Sequence, residues 1–170
     1  MEDHPCTTDA PRRSLVAQLS LCPHPEGGHY REVHRPPDSV QPADGRSLRP
    51  ALTTIYFLLA AGEMSRWHRV LSDESWHYHE GAPLELIVAD PSFESVATHR
   101  VGAFDVETGS EPMRVVPAGW WQAARTSGAY TLVSCSVGPG FVFDDFVMLR
   151  DLPDDAARLS RAHPSLGSLV

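Results

Sequence analysis

Between residues 22 and 150 the chain is a succession of short apolar and aromatic runs broken by Gly, Pro, Ser and Asp. About ten can be read off: GHYREVHR, LTTIYFLLA, SRWHRVL, SWHYHEG, PLELIVADP, SVATHRV, MRVVPAG, WWQAARTS, AYTLVSCSV and FVFDDFVML. Runs of this length, rich in β-branched and aromatic residues and bounded by turn formers, read as strands. No helical periodicity intervenes, so there are no crossover helices for a parallel sheet. The pattern therefore predicts an all-β antiparallel sandwich or barrel. Helical signals are confined to the ends. Leu15, Val16 and Leu19 predict a short amphipathic helix within 11–21, and the tail from about 151 carries a short polar helix that packs on the outside. The stretch 36–50, PPDSVQPADGRSLRP, has four prolines and no periodicity, which reads as an exposed loop at one end of a barrel.

A chain of 170 residues is expected to form one domain, 1–170, burying roughly 70% of its unfolded surface. Its 22 acidic residues outweigh 14 basic ones, all of them Arg, for a net charge of −8. So acidic a surface argues against a nucleic-acid partner, and the absence of Lys removes Schiff-base chemistry. Cys6, Cys22 and Cys135 are widely spaced and suggest neither a disulfide framework nor a structural zinc site. No apolar run approaches the ~20 residues of a membrane helix, and the N-terminus lacks the pattern of a secretory signal. A cytoplasmic protein with no membrane partner is expected.

Residues 72–81, SDESWHYHEG, raise a metal question, because His77 and His79 would share one face of an extended strand. Alternation sets a condition. If Glu74 points inward, so do Trp76 and Tyr78, and both histidines face away unless a bulge between 74 and 77 reverses the parity. The wider frame is more specific. Gly62, His68, Glu74 and Gly81, in the spacing of GEMSRWHRVLSDESWHYHEG, resemble the first signature of the cupin superfamily, with Val70 where a second His normally stands. PAGWWQ, from Pro117 to Gln122, resembles the second signature, with Gln122 in a His place. Together with HPEGGHYRE (24–32), TTIYFLL (53–59) and SVGPGF (136–141), these stretches resemble a small single-domain branch of the cupins over about residues 14–150.

The resemblance implies a double-stranded β-helix, the cupin jelly roll, enclosing a pocket and usually assembled as a homodimer. In a metal cupin the corresponding positions form a three-His, one-carboxylate shell. Here His68, Glu74 and Gln122, with His77 and His79 as second-line ligands, imply no metal or a weakly held divalent one, because Val70 cannot coordinate and an amide oxygen is a poor ligand. Metal-free cupins include epimerases and isomerases that use a His base and a Tyr acid. By that likeness His68 is the expected base, oriented by Glu74, with Tyr78, Tyr56 or Tyr30 as proton donors. Arg31 or Arg49 would grip an anionic group on the substrate, and Glu26 lies in the same motif. Trp76 and Trp120 offer an aromatic wall for a sugar ring or serve as core filling. The expected function is proton transfer on a carbohydrate-like or carbonyl-bearing small molecule. The alternatives are a non-catalytic ligand-binding or sensing cupin and a metal-dependent oxygenase or lyase.

Overall fold

A computed structural model describes residues 15–170. Thirteen strands are present, β1 (Cys22–Pro23), β2 (His29–His34), β3 (Ser39–Val40), β4 (Arg49–Pro50), β5 (Thr53–Ala60), β6 (Met64–Val70), β7 (Asp73–Gly81), β8 (Leu84–Ala89), β9 (Val96–Val101), β10 (Met113–Val116), β11 (Trp121–Thr126), β12 (Tyr130–Gly138) and β13 (Phe146–Met148). They form a six-stranded sheet in the order β1-β2-β5-β12-β7-β10 and a five-stranded sheet in the order β13-β6-β11-β8-β9, while β3 and β4 pair separately. Every ladder is antiparallel. This is the antiparallel sandwich expected from the punctuated sequence, in the jelly-roll form that the cupin resemblance implied.

Three apolar layers follow from the alternation along the strands. Phe57, Leu59, Trp76, Leu86, Val116 and Val133 are among the residues that fill the space between the sheets. The opposite face of the five-stranded sheet, carrying Trp67, Ile87, Trp121 and Ala123, is covered by helix α1 (Pro153–Ala162) and the C-terminal segment through Leu159 and Leu169. Helix α1 begins at a proline with Asp154 and Asp155 in its first turn, the residue types that suit a helix N-terminus. Residues 15–18 are helical, and Leu15, Val16 and Leu19 cover Leu58 and Leu132 on the outside of the six-stranded sheet. The start of the helix expected within 11–21, together with Cys6, lies outside the described residues.

Two local departures from the sequence reading shape the pocket. The run FVFDDFVML was expected to be one strand. Instead a 3-10 turn at Phe143–Asp145 precedes the short β13. The turn brings the Asp145 carboxylate to Arg49, which donates to it from Nε and Nη2, both at 2.8 Å, and to Arg46 Nη1 at 2.6 Å. This clasp ties the loop of residues 36–50 to the segment that carries Phe143 and Phe146. The second departure is a register shift in β6, where Gln122 pairs with His68 but Ala124 pairs with Ser65. Residues 65 and 68 would point to opposite faces of a regular strand; the bulge turns both inward.

Candidate active site

A cavity of about 210 Å³ opens between the sheets, and at its floor four buried ionisable side chains converge: His24, Glu26, His68 and Glu74. His24 and Glu26 arrive from the HPEGG turn ahead of β2. Gly27 has φ 110°, and a Cβ on it would lie 2.1 Å from the Met64 carbonyl oxygen. Only glycine allows the turn to pack this closely against β6, which is how Glu26 reaches the barrel interior. There one carboxylate oxygen of Glu26 accepts from Ser65 Oγ at 2.8 Å. The other, Oε2, stands 3.3 Å from His24 Nδ1 and 3.3 Å from His68 Nε2.

Tautomers follow from the remaining bonds. His68 Nδ1 is 2.8 Å from the Arg66 carbonyl, so this nitrogen carries the proton and Nε2 presents its lone pair to Glu26. His24 Nδ1 accepts from the Glu26 backbone N–H at 3.4 Å, which places that ring's proton on Nε2. Burial pushes the Glu26 carboxyl above the ordinary carboxylate range, against the opposing pull of His24 and Ser65. Burial also lowers the basicity of His68, despite the Glu74 carboxyl nearby, and of His24. In its protonated form, which burial favours, Glu26 holds one proton between two imidazole nitrogens.

Glu74 is held differently. Its Oε2 accepts from Gln122 Nε2 at 2.6 Å, while the Gln122 amide oxygen accepts from Trp76 Nε1 at 2.9 Å. The Cys135 thiol lies beside Glu74 in the cavity lining. Burial raises the Glu74 carboxyl, with His68 opposing and Glu26 adding to the rise. The shift favours the protonated carboxylic acid, which can donate a hydrogen bond. Burial also raises the Cys135 thiol well above its ordinary value, which leaves it unreactive as a nucleophile.

Of the residues selected from sequence, His68, Glu74, Glu26 and Tyr30 line this cavity. The pairing differs from expectation: His68 is oriented by the Arg66 carbonyl and faces Glu26 rather than being aligned by a hydrogen bond to Glu74. The other selected residues lie elsewhere. Tyr78 donates its hydroxyl to the Gly81 carbonyl, and Tyr56 packs on the outer face beside Arg31 and His79. Arg49 is consumed by Asp145. Trp76 fills the core and Trp120 packs against its edge, so neither offers a stacking wall. That wall is made instead by Phe57, Phe141, Phe143 and Phe146.

The bulge in β7 falls where Leu132 pairs with Glu80 and Val133 with Tyr78, leaving His79 as the extra residue. It lies beyond the 74–77 interval, so His77 keeps the outward parity and bonds Ser75 Oγ at 3.0 Å. The donor set at the positions a metal cupin uses does not suit a transition ion. Val70 is apolar, the Gln122 amide oxygen is turned to Trp76, and its N–H₂ end faces Glu74. Among the described residues no three His, Cys, Asp or Glu side chains are arranged to hold a metal.

His24, Glu32, Arg35 and the phenylalanines were not selected from sequence. His24 carried a usable signal, standing two residues before Glu26 at the start of a glycine turn. The others lie far apart in the chain, and only the closing of the barrel gathers them.

Residues 13–149 match the family described as Cupin superfamily (DUF985). A hypothetical protein from Leishmania major superposes with a TM-score of 0.80 at 34% identity, covering 93% of this chain and 95% of that one. Protein SO0799 from Shewanella oneidensis gives 0.77 at 32% identity, covering 92% of each. The uncharacterized protein YML079W of Saccharomyces cerevisiae is 27% identical over 153 residues, 81% of this chain and 75% of the yeast protein. Oxalate decarboxylase from Bacillus subtilis, at 15% identity and a TM-score of 0.56 over 82% of this chain and 33% of that one, shares the fold alone. With a jelly roll around an acid and imidazole floor, and a family match that spans most of its length, the chain belongs to the cupin superfamily, in the branch described as DUF985.

Proposed function

We propose that the barrel cavity binds a small carbonyl-bearing metabolite and moves a proton on the carbon beside the carbonyl, as an epimerase or isomerase does. The observation that carries this reading is the Glu26 carboxyl set 3.3 Å from both His24 Nδ1 and His68 Nε2 at the closed end of a cavity. His68 Nε2 is the base, its lone pair open to the ligand when the Glu26 proton is directed to His24 Nδ1. It takes the proton as the C–H bond breaks, and the electron pair moves to the carbonyl oxygen. The protonated Glu74 carboxyl supports that oxygen with a hydrogen bond, where negative charge develops. Glu26 passes its own proton to His24, leaving a carboxylate beside the new imidazolium. The Tyr30 hydroxyl gives its proton to the other face of the carbon and inverts it, the phenolate recovering a proton from the His68 imidazolium through solvent; return of the proton from His68 to a neighbouring carbon isomerises the ligand, and in either case Glu26 takes its proton back from His24.

The test is hydrogen exchange in deuterium oxide, followed by proton NMR on a panel of ketones, ketoses and oxo acids. The wild-type protein is expected to wash deuterium into the position beside the carbonyl of at least one member. His68→Gln and Glu26→Gln should each slow that exchange by about a hundredfold or more, the usual scale of a general base. Ligand binding without exchange in the wild type would favour a binding or sensing cupin, and undiminished exchange in both variants would overturn the assignment.

A further inference from the structure

The walls above the floor say what kind of molecule the cavity accepts. Its sides are apolar: Ile55, Phe57, Val70, Val137 and Phe146 line it between the buried acids and the opening. Phe146 connects the two ends, its ring 5.4 Å from His68 and 6.0 Å from His24 on one side, and 5.9 Å from Phe141 and 6.2 Å from Phe143 on the other. A sugar would bring a hydroxyl on nearly every carbon, and each needs a partner when buried. The walls provide few: of the hydroxyls in the lining, Tyr30 and Thr53, the Thr53 oxygen already accepts from the Phe141 N–H at 2.9 Å.

At the opening stands Arg35, the one guanidinium among the lining residues. It is fixed on two sides. Nε and Nη2 grip the Glu32 carboxylate, at 3.0 Å and 2.7 Å, and Nη1 donates to the Phe141 carbonyl at 3.1 Å. Each of Nη1 and Nη2 retains one N–H with no partner among the described residues. Those N–H groups are available to a carboxylate, and Glu32 and the Phe141 carbonyl hold the guanidinium in place.

We infer that the ligand is a small oxo acid whose carbonyl and carboxylate are separated by an apolar body, with the carbonyl at the His68 and Glu74 floor, the body against Phe146, and the carboxylate on Arg35. This rests on the carbonyl chemistry proposed above and narrows its substrate class. A 2-oxo acid is disfavoured, because with its carbonyl at the floor its carboxylate would be buried there, out of reach of Arg35. Arg35 is then the specificity-determining residue of the site.

Calorimetric titration with three probes tests the inference separately from turnover: 5-oxohexanoate, its uncharged counterpart 2-hexanone, and D-fructose. The oxo acid is expected to bind at least about tenfold more tightly than 2-hexanone, the scale of a charge-assisted pair, with no measurable heat from fructose. In Arg35→Met that preference should fall to within about twofold, read as the ratio of the two affinities so that any change common to both ketones cancels. Equal affinity for the two ketones in the wild type, tighter binding of fructose, no binding of either ketone, or an undiminished preference in Arg35→Met would each overturn it. Tight oxo-acid binding without deuterium exchange would keep this ligand class and remove the proposed catalysis. Exchange on ketoses without oxo-acid preference would do the reverse.

Discussion

At the scale of single residues, burial shifts the acids and imidazoles at the cavity floor toward their neutral forms. The Glu74 carboxyl has an ordinary value of 4.5, and burial raises it in the folded protein. The unfolded chain therefore loses this proton at a lower pH than the folded one. Above 4.5 and up to the raised folded value, the folded state binds more protons, so this group subtracts stability as pH rises through that window. His68 acts in the other direction: its lowered folded value makes stability fall as pH drops below its ordinary 6.5. Glu74→Gln removes the first effect and, by taking away the carboxyl that opposes the lowering of His68, deepens the second, which moves the difference the same way; its amide oxygen can still accept from Gln122. The difference in unfolding free energy, variant minus wild type, should become more positive between pH 5 and pH 8 in urea titrations. A difference independent of pH would show that Glu74 is not held protonated.

At the scale of elements, the HPEGG turn is the part on which the site depends most. Replacing Gly27 by Ala forces a Cβ against the Met64 carbonyl at a φ of 110°. The backbone strain alone costs about 1–3 kcal/mol. The expected result is a lower midpoint in denaturant together with reduced exchange activity, because His24 and Glu26 ride on the turn; a variant with wild-type stability would contradict this account. The glycines of this turn are visible in the sequence, but the need for them is not, since the obstructing atom belongs to β6. The same holds for the bulge that turns Ser65 and His68 inward together. The split of FVFDDFVML into a 3-10 turn and a short strand likewise follows from Asp145 reaching Arg46 and Arg49 from a distant loop. Propensity favours a strand there, and a buried ion cluster overrides it.

At the scale of the whole molecule, the two sheets do not have equal cover. The five-stranded sheet is roofed by α1 and the C-terminal segment. The six-stranded sheet is partly covered by residues 15–19, and at its β10 edge Met113 and Val115 remain about half exposed. They pair with His77 and Ser75, so all four lie on the outward face. An exposed apolar edge of this kind invites a second sheet. The homodimer that the cupin resemblance implies is expected to use this face, and light scattering should give twice the 18.7 kDa chain mass. Met113→Glu with Val115→Glu should return it to one chain mass; a wild-type monomer, or a dimer indifferent to both changes, would rule the face out. No helix among the described residues is long and apolar enough to cross a membrane.

The sequence by itself determined the kind of fold and part of the site. Punctuated strands with helical signals only at the ends leave little but an antiparallel barrel, because hydrophobic period and turn chemistry are local properties of the chain. His68, Glu74 and the glycine-rich turn could be marked because they stand in recognisable spacing. The outward parity of His77 could be derived from alternation and depended only on where a bulge fell. Tertiary structure alone decided the partnerships: Glu26 between two imidazoles, Gln122 turned toward Trp76 and Glu74, Arg49 withdrawn to Asp145, and Arg35 placed at the opening. Each of these joins residues from separate strands or loops, and a proton, a hydrogen bond or a guanidinium is assigned by whichever groups lie within about 3 Å once the sheets have closed.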